Sequence, residues 1–88
     1  MALSLDSVPS LWRLARLQFD PVRNQRVLLY PEGVVLLNDT GAAVLDLCDG
    51  ARSIAEIAAI LGERFNCDVR TDVLEYLTGL EDQALVNG

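Results

Sequence analysis

The apolar positions of this chain change period after the first third. Arg16-Leu17-Gln18-Phe19-Asp20 alternates polar and apolar, the two-residue period of a half-buried strand. Pro21, Val22, Arg23 and Asn24 read as a turn, with Pro presetting φ and Asn tolerating the left-handed region. Residues 25–30 form a second strand pattern rich in Val, Leu and Tyr. Pro31, Glu32 and Gly33 give a tight turn in which Gly33 is expected to supply a positive φ. Val34, Val35, Leu36 and Leu37 are a third strand. Connections this short predict an antiparallel meander. Before it, residues 1–15 carry scattered apolar positions interrupted by Pro9, and are expected to form an irregular N-terminal arm.

After Asn38 the period becomes helical. Asn38, Asp39 and Thr40 are all good N-caps. A short helix is predicted over 42–48 with Val44, Leu45, Leu47 and Cys48 inward, closed by Asp49 and Gly50 with the glycine as C-cap. Ser53-Ile54-Ala55-Glu56 is a capping box. Behind it Ile54, Ile57, Ala58, Leu61 and Phe65 recur on one helical face. Asn66, Cys67 and Asp68 read as a loop, and a third helix begins between Asp68 and Thr71. Its inner face is Val73, Leu77, Leu80 and Ala84, widened by Leu74, with Tyr76 at another edge. The fold class is α+β: a three-stranded antiparallel meander followed by three helices, winged-helix-like, with 16–88 as one domain behind the arm.

Composition narrows what such a domain does. At 88 residues there is room for one core and no second domain. A chain 51% hydrophobic is not a disordered one. The longest unbroken apolar run, 57–61, is far shorter than a membrane span, and the N-terminus lacks the pattern of a signal peptide, so a cytoplasmic protein is expected. There is no histidine, which excludes Ser/His/Asp and Cys/His catalysis. Cys48 and Cys67 are too few and too far apart for a zinc site, and a lone disulfide between them is not expected. Cys48 reads as a buried small hydrophobe and Cys67 as an exposed thiol. Carboxylate pairs such as Asp46 with Asp49 and Glu81 with Asp82 read as solvated helix faces rather than acid/base pairs.

Charge excludes a further class. Net charge is -6, with 13 acids against 7 basic residues, all of them arginine. A helix-turn-helix would put the third helix into the major groove, but its outer face carries Asp72, Glu75, Glu81 and Asp82 against Arg70. Phosphate contact needs the opposite sign, so no nucleic-acid partner is expected. Arg13, Arg16, Arg23 and Arg26 make a loose basic patch around the arm and first hairpin, either ordinary surface charge or a match for a partner's acids.

The strands themselves are unusual in being apolar on both faces. A small antiparallel sheet with one wet face should alternate. Three helices cover one face; the other calls for the arm, a second copy or a partner. The third strand also ends the meander and carries neither charge nor proline, the features that normally blunt a free edge. Two readings stand: an edge that receives an extended peptide by strand addition, or a strand buried in the fold or in a dimer.

Arg16-Leu17-Gln18-Phe19-Asp20, then Val27-Leu28-Leu29-Tyr30-Pro31-Glu32-Gly33, Leu37-Asn38 and Val44-Leu45-Asp46-Leu47-Cys48-Asp49-Gly50 run in an order and spacing that resembles the PqqD family of pyrroloquinoline quinone (PQQ) biosynthesis. The likeness covers roughly residues 9–86; Phe19 stands where the family more often has Trp, and Gly41 where Ala is more usual. The resemblance implies a peptide chaperone, a recognition element for ribosomally made and modified peptides. It implies binding of the precursor peptide PqqA and its presentation to the radical SAM enzyme PqqE, with no catalysis and no cofactor of its own. It further implies a groove between the third strand and the third helix, which on this chain gives Val34, Val35, Leu36 and Leu37 with Val73, Leu74, Leu77 and Leu80. A monomer is the expected working form, with strand exchange giving a dimer at high concentration. The alternative is a regulatory or dimerising winged-helix scaffold with no peptide ligand.

Overall fold

The alternation in R-L-Q-F-D places Leu17 and Phe19 on one face of a strand, and two tight turns fold the next two strands against it. The structure, a computed structural model, describes residues 3–88, so the first two residues of the arm lie outside it. The elements are β1 (Ser10–Leu11), β2 (Arg16–Asp20), β3 (Gln25–Tyr30), β4 (Gly33–Leu36), α1 (Asp39–Asp46), α2 (Ile54–Phe65), α3 (Arg70–Asp82) and β5 (Val86–Asn87). β2, β3 and β4 form the meander in that order, all antiparallel. Three helices follow, so the α+β reading holds. The register pairs Leu17 with Leu28 and Leu28 with Val35. Directly paired residues point to one face, so Leu17, Leu28 and Val35 form the inner row against the helices. Val27, Leu29, Val34 and Leu36 form the outer row.

Helix ends follow their sequence signals. Asn38 caps α1, its Oδ1 accepting from the Gly41 N–H at 2.7 Å. Ser53 and Glu56 close the capping box in both directions. α2 ends on Asn66 in the left-handed region, with the Cys67 N–H donating back to Gly62 O. α3 closes in a Schellman arrangement: Leu85 N–H donates to Leu80 O and Ala84 N–H to Glu81 O, with Ala84 left-handed at φ 62. The core joins Leu28 and Leu37 to Val44, Leu45, Ile54, Ile57, Leu61, Val73, Leu77 and Leu80.

Several expectations are corrected. α1 spans 39–46 rather than 42–48, because Asn38 takes the cap and Leu47 ends the helix without a glycine. Gly50 does have positive φ, at 78, but in the link after the helix, where its N–H donates to Pro9 O. Gly33 has no positive φ: it opens β4 beyond a two-residue turn, and Pro31 suits a turn that needs none. Phe65 is 39% exposed, being the last residue of α2 at the rim of an open pocket, and Arg64 lies over its ring at 5.8 Å. Ala84 is exposed beyond the end of α3, and Leu85 takes the inward place instead.

The arm is not irregular throughout. β1 pairs with β5, Ser10 opposite Asn87 and Leu11 opposite Val86. Further main-chain bonds tie the arm to the helices, with Ile54 N–H donating to Ser7 O and Ala55 N–H to Leu5 O. Leu3, Leu5, Leu11 and Trp12 pack on the core. The arm thus lies on the helical side; of the outer row, Val34 and Leu36 stay exposed on β4, while Val27 on the central strand is buried.

Two measurements follow from this packing. Cys48 is buried and Cys67 exposed, both free; burial, with Asp49 nearby, pushes the Cys48 thiol up to about 12. Thiolate is the reactive form, so a thiol reagent at pH 8 should label one cysteine per folded chain and two in urea. Two fast labels on the folded protein would contradict the burial. Ala84 holds a backbone conformation that costs an L-residue about 1–2 kcal/mol, so Ala84→Gly should stabilise by about 0.5–1 kcal/mol after the glycine's chain entropy is counted. A lower urea midpoint for that variant would disprove the strain.

Candidate functional site

An open strand is a site only if its outward main-chain groups are free, and the register settles which those are. Leu37 N–H donates to Arg26 O at 3.0 Å, so Arg26 and Leu37 are a hydrogen-bonded pair. Such pairs alternate with non-bonded ones along an antiparallel ladder. Leu28 with Val35 and Tyr30 with Gly33 are therefore bonded pairs too. Val34 and Leu36, between them, point their N–H and C=O groups away from β3 into the open. β4 has a neighbour on one side only. The side chains of Val34 and Leu36 are 41% and 53% exposed and lie on the outer face, next to Leu29 and Val27. Free main-chain donors and acceptors thus share an edge with uncharged apolar side chains.

The remaining residues of the expected groove are distributed elsewhere. Val35 is half-buried on the inner face, and Leu37 is buried in the core. Val73, Leu77 and Leu80 are buried core residues of α3. Leu74 lines a shallow depression with Leu5, Asp68, Arg70 and Thr71, on the side of α3 that meets the arm. The structure therefore does not bring these eight side chains to one surface.

What periodicity missed is a pocket among the helices. A cavity of about 200 Å³ opens between Thr40, Gly41 and Val44 of α1, Leu61 and Phe65 of α2, and Val73 and Tyr76 of α3. α1 begins three residues after β4 ends, so the pocket follows the strand closely in sequence. Gly41 shapes it: a β-carbon there would stand 2.6 Å from the Tyr76 hydroxyl and 3.1 Å from Asn38 Oδ1. Burial, then the nearby Cys48, raises the Tyr76 phenol above its ordinary range, so the ring stays neutral. The one sequence signal was Gly41 in place of the more usual Ala, and it needs the tertiary arrangement to be read.

Electrostatics around the edge are mild. Arg26 clasps Asp46 with two hydrogen bonds of 2.8 and 2.6 Å, tying β3 to α1. That contact holds the Asp46 carboxyl below its usual range. Arg23 pairs with Asp20, Arg52 with Asp49 and Arg70 with Asp68. The only arginine of α3 is thus neutralised, and its outer face is acidic. Among the described residues, no three His, Cys, Asp or Glu side chains gather as a metal ion would require, and no helix is long and apolar enough to cross a membrane.

Residues 25–86 match the family pattern of Coenzyme PQQ synthesis protein D (PqqD). The PqqA binding protein of Azotobacter vinelandii is 51% identical over 76 residues, covering 84% of this chain and 83% of that protein. Its counterpart in Pseudomonas aeruginosa strain UCBPP-PA14 is 56% identical over the same length and coverage. The bifunctional coenzyme PQQ synthesis protein C/D of Methylorubrum extorquens is 42% identical across 97% of this chain, which spans only 24% of that longer protein. Among solved structures, the solution structure of the PqqD truncation of Methylobacterium extorquens PqqCD superposes with a TM-score of 0.85 at 41% identity, covering 99% of this chain and 96% of that one. It represents a functional, stand-alone recognition element for ribosomally synthesized and post-translationally modified peptides. The crystal structure of PqqD from Xanthomonas campestris superposes at 0.61, also at 41% identity, with 99% and 100% covered. In sequence over most of its length, and in fold, this chain belongs to the PqqD family.

Proposed function

We propose that this protein is a non-catalytic peptide-binding protein of PQQ biosynthesis that takes the precursor peptide PqqA as an added strand along β4 and presents it to PqqE. The observation that carries the reading is the free edge of β4, where the N–H and C=O groups of Val34 and Leu36 face outward beside uncharged side chains. Strand addition draws affinity from such main-chain groups and register from alternate side chains. The names of the relatives support PqqA as the peptide. On this reading Val34, Leu36 and the pocket beside Gly41 and Tyr76 meet the peptide. Leu37, Val73, Leu77 and Leu80 act from behind, by holding the strand and helix in place, while Leu74 serves the arm side of α3. The protein works as a cytoplasmic monomer without a cofactor. The acidic outer face of α3 speaks against a regulatory DNA-binding role.

Paired proline substitutions test the edge. Leu36→Pro removes an outward donor and should leave the protein folded while weakening PqqA by roughly three- to tenfold, the worth of one main-chain hydrogen bond. Val35→Pro removes a bond to β3 and should cost on the order of 3 kcal/mol of stability. Amide shifts on adding PqqA should cluster at residues 34–37 and around Gly41 and Tyr76. A cluster on α2 away from Phe65 would defeat strand addition even with PqqA bound. No PqqA binding at all would favour the ligand-free scaffold.

A further inference from the structure

The closure of the chain's two ends builds a second concave surface. Trp12 N–H donates to Leu85 O at 2.9 Å, extending the ladder of β1 and β5 by one residue. The Schellman turn of α3 brings Gln83 and Ala84 alongside. Opposite stands the β3–β4 turn, with Tyr30 folded back over Gly33: a β-carbon on Gly33 would be 3.3 Å from the Tyr30 hydroxyl. Between them lies a crevice of about 410 Å³ lined by Trp12, Tyr30, Glu32, Gln83, Ala84 and Asn87, among others.

The chemistry of its walls is one-sided. Two aromatic side chains and one carboxylate line it, and Glu32 makes no ion pair among the described residues. α3 ends at the crevice, and a helix C-terminus carries partial negative charge. Its last turn holds Glu81 and Asp82 and no basic residue; neither acid lines the crevice, but both add to the negative charge of the helix end behind it. Arg13 and Arg16 are near in sequence, but neither lines the crevice. A planar cation that stacks on aromatic rings, forks to a carboxylate and has N–H donors left for the Gln83 and Asn87 side-chain carbonyls fits these walls better than an ammonium, which has fewer donors and no flat face to stack.

We propose that this crevice is a docking site for an arginine side chain of a partner protein or peptide, held by the Glu32 carboxylate and the Trp12 and Tyr30 side chains. The site adjoins the start of β4 through Tyr30 and Glu32, but it is built from side chains rather than from the outward main-chain groups of Val34 and Leu36 and does not depend on strand addition. It gives the protein a second point of recognition, selective for positive charge.

The test uses the full chain and Nα-acetyl-L-arginine amide as probe, with the citrulline amide as a neutral isostere. Trp12 is the only tryptophan, so its indole N–H is an unambiguous reporter in an ¹H–¹⁵N spectrum. The arginine probe should shift that signal and the amides of Tyr30, Glu32 and Ala84 along one saturable curve in the millimolar range. Glu32→Gln, a change in an exposed turn, should weaken binding about three- to tenfold with the rest of the spectrum unchanged. Equal shifts with the citrulline probe, shifts scattered over all acidic surfaces, or unchanged affinity in Glu32→Gln would each overturn the proposal. A failure of PqqA to bind leaves this titration readable, and a failure here leaves the PqqA result standing.

Discussion

The architecture depends on a sheet that meets the helices through its middle strand. Leu28 is fully buried at the centre of β3, with Leu17 and Val35 beside it on the same face. One end of that strand is fixed to α1 by the two-pronged contact between Arg26 and Asp46. Both groups are partly exposed, so the contact orients more than it stabilises. Because β3 carries the docking, the flanking strands keep their far edges free. A sheet wedged in by its outermost strand would have lost the edge on which the peptide reading rests.

Local signals in the sequence were faithful where the structure is local. The meander, the left-handed Asn24, the Asn38 cap and the S-x-x-E box all depend on residues within a few positions of one another. Inner and outer rows followed from alternation once β3 was known to have neighbours on both sides. The β1–β5 pairing was invisible because two residues per strand carry no period and their partners lie almost a full chain length apart. Phe65 and Ala84 continued a helical stripe on paper, but a stripe does not say where the opposing surface ends. Gly33 was read as a conformational requirement when a two-residue turn led by Pro31 needs no positive φ. Of the residues expected to form the groove, Val34 and Leu36 lie on the open edge, as the uncharged strand pattern suggests, whereas Val73, Leu77 and Leu80 lie in the core, which an apolar helical stripe by itself does not distinguish from a groove wall.

Apolar strands on both faces raised the question of what covers the outer row. The arm does not, since its bonds run to the link after α1, to α2 and to the segment after α3. The outer row is therefore open at Val34 and Leu36, beside the open edge. That combination is ordinarily an aggregation hazard. Here it is short, four residues long, and lies on a molecule of net charge -6, both of which oppose open-ended stacking.

The short ladder that joins β1 to β5 has a mechanical meaning. Ser10 and Asn87 sit at the same end of it, so tension applied from the two flanks of the chain peels its bonds one after another instead of shearing them together. What resists such a pull is therefore not the ladder but the arm's other anchors, its main-chain bonds from Leu5, Ser7 and Pro9 and the Leu3 side chain in the core. A tether on either flank would also start from nearly the same point in space. The domain can thus be joined to a neighbour through its front or its back and present the β4 edge with the same geometry.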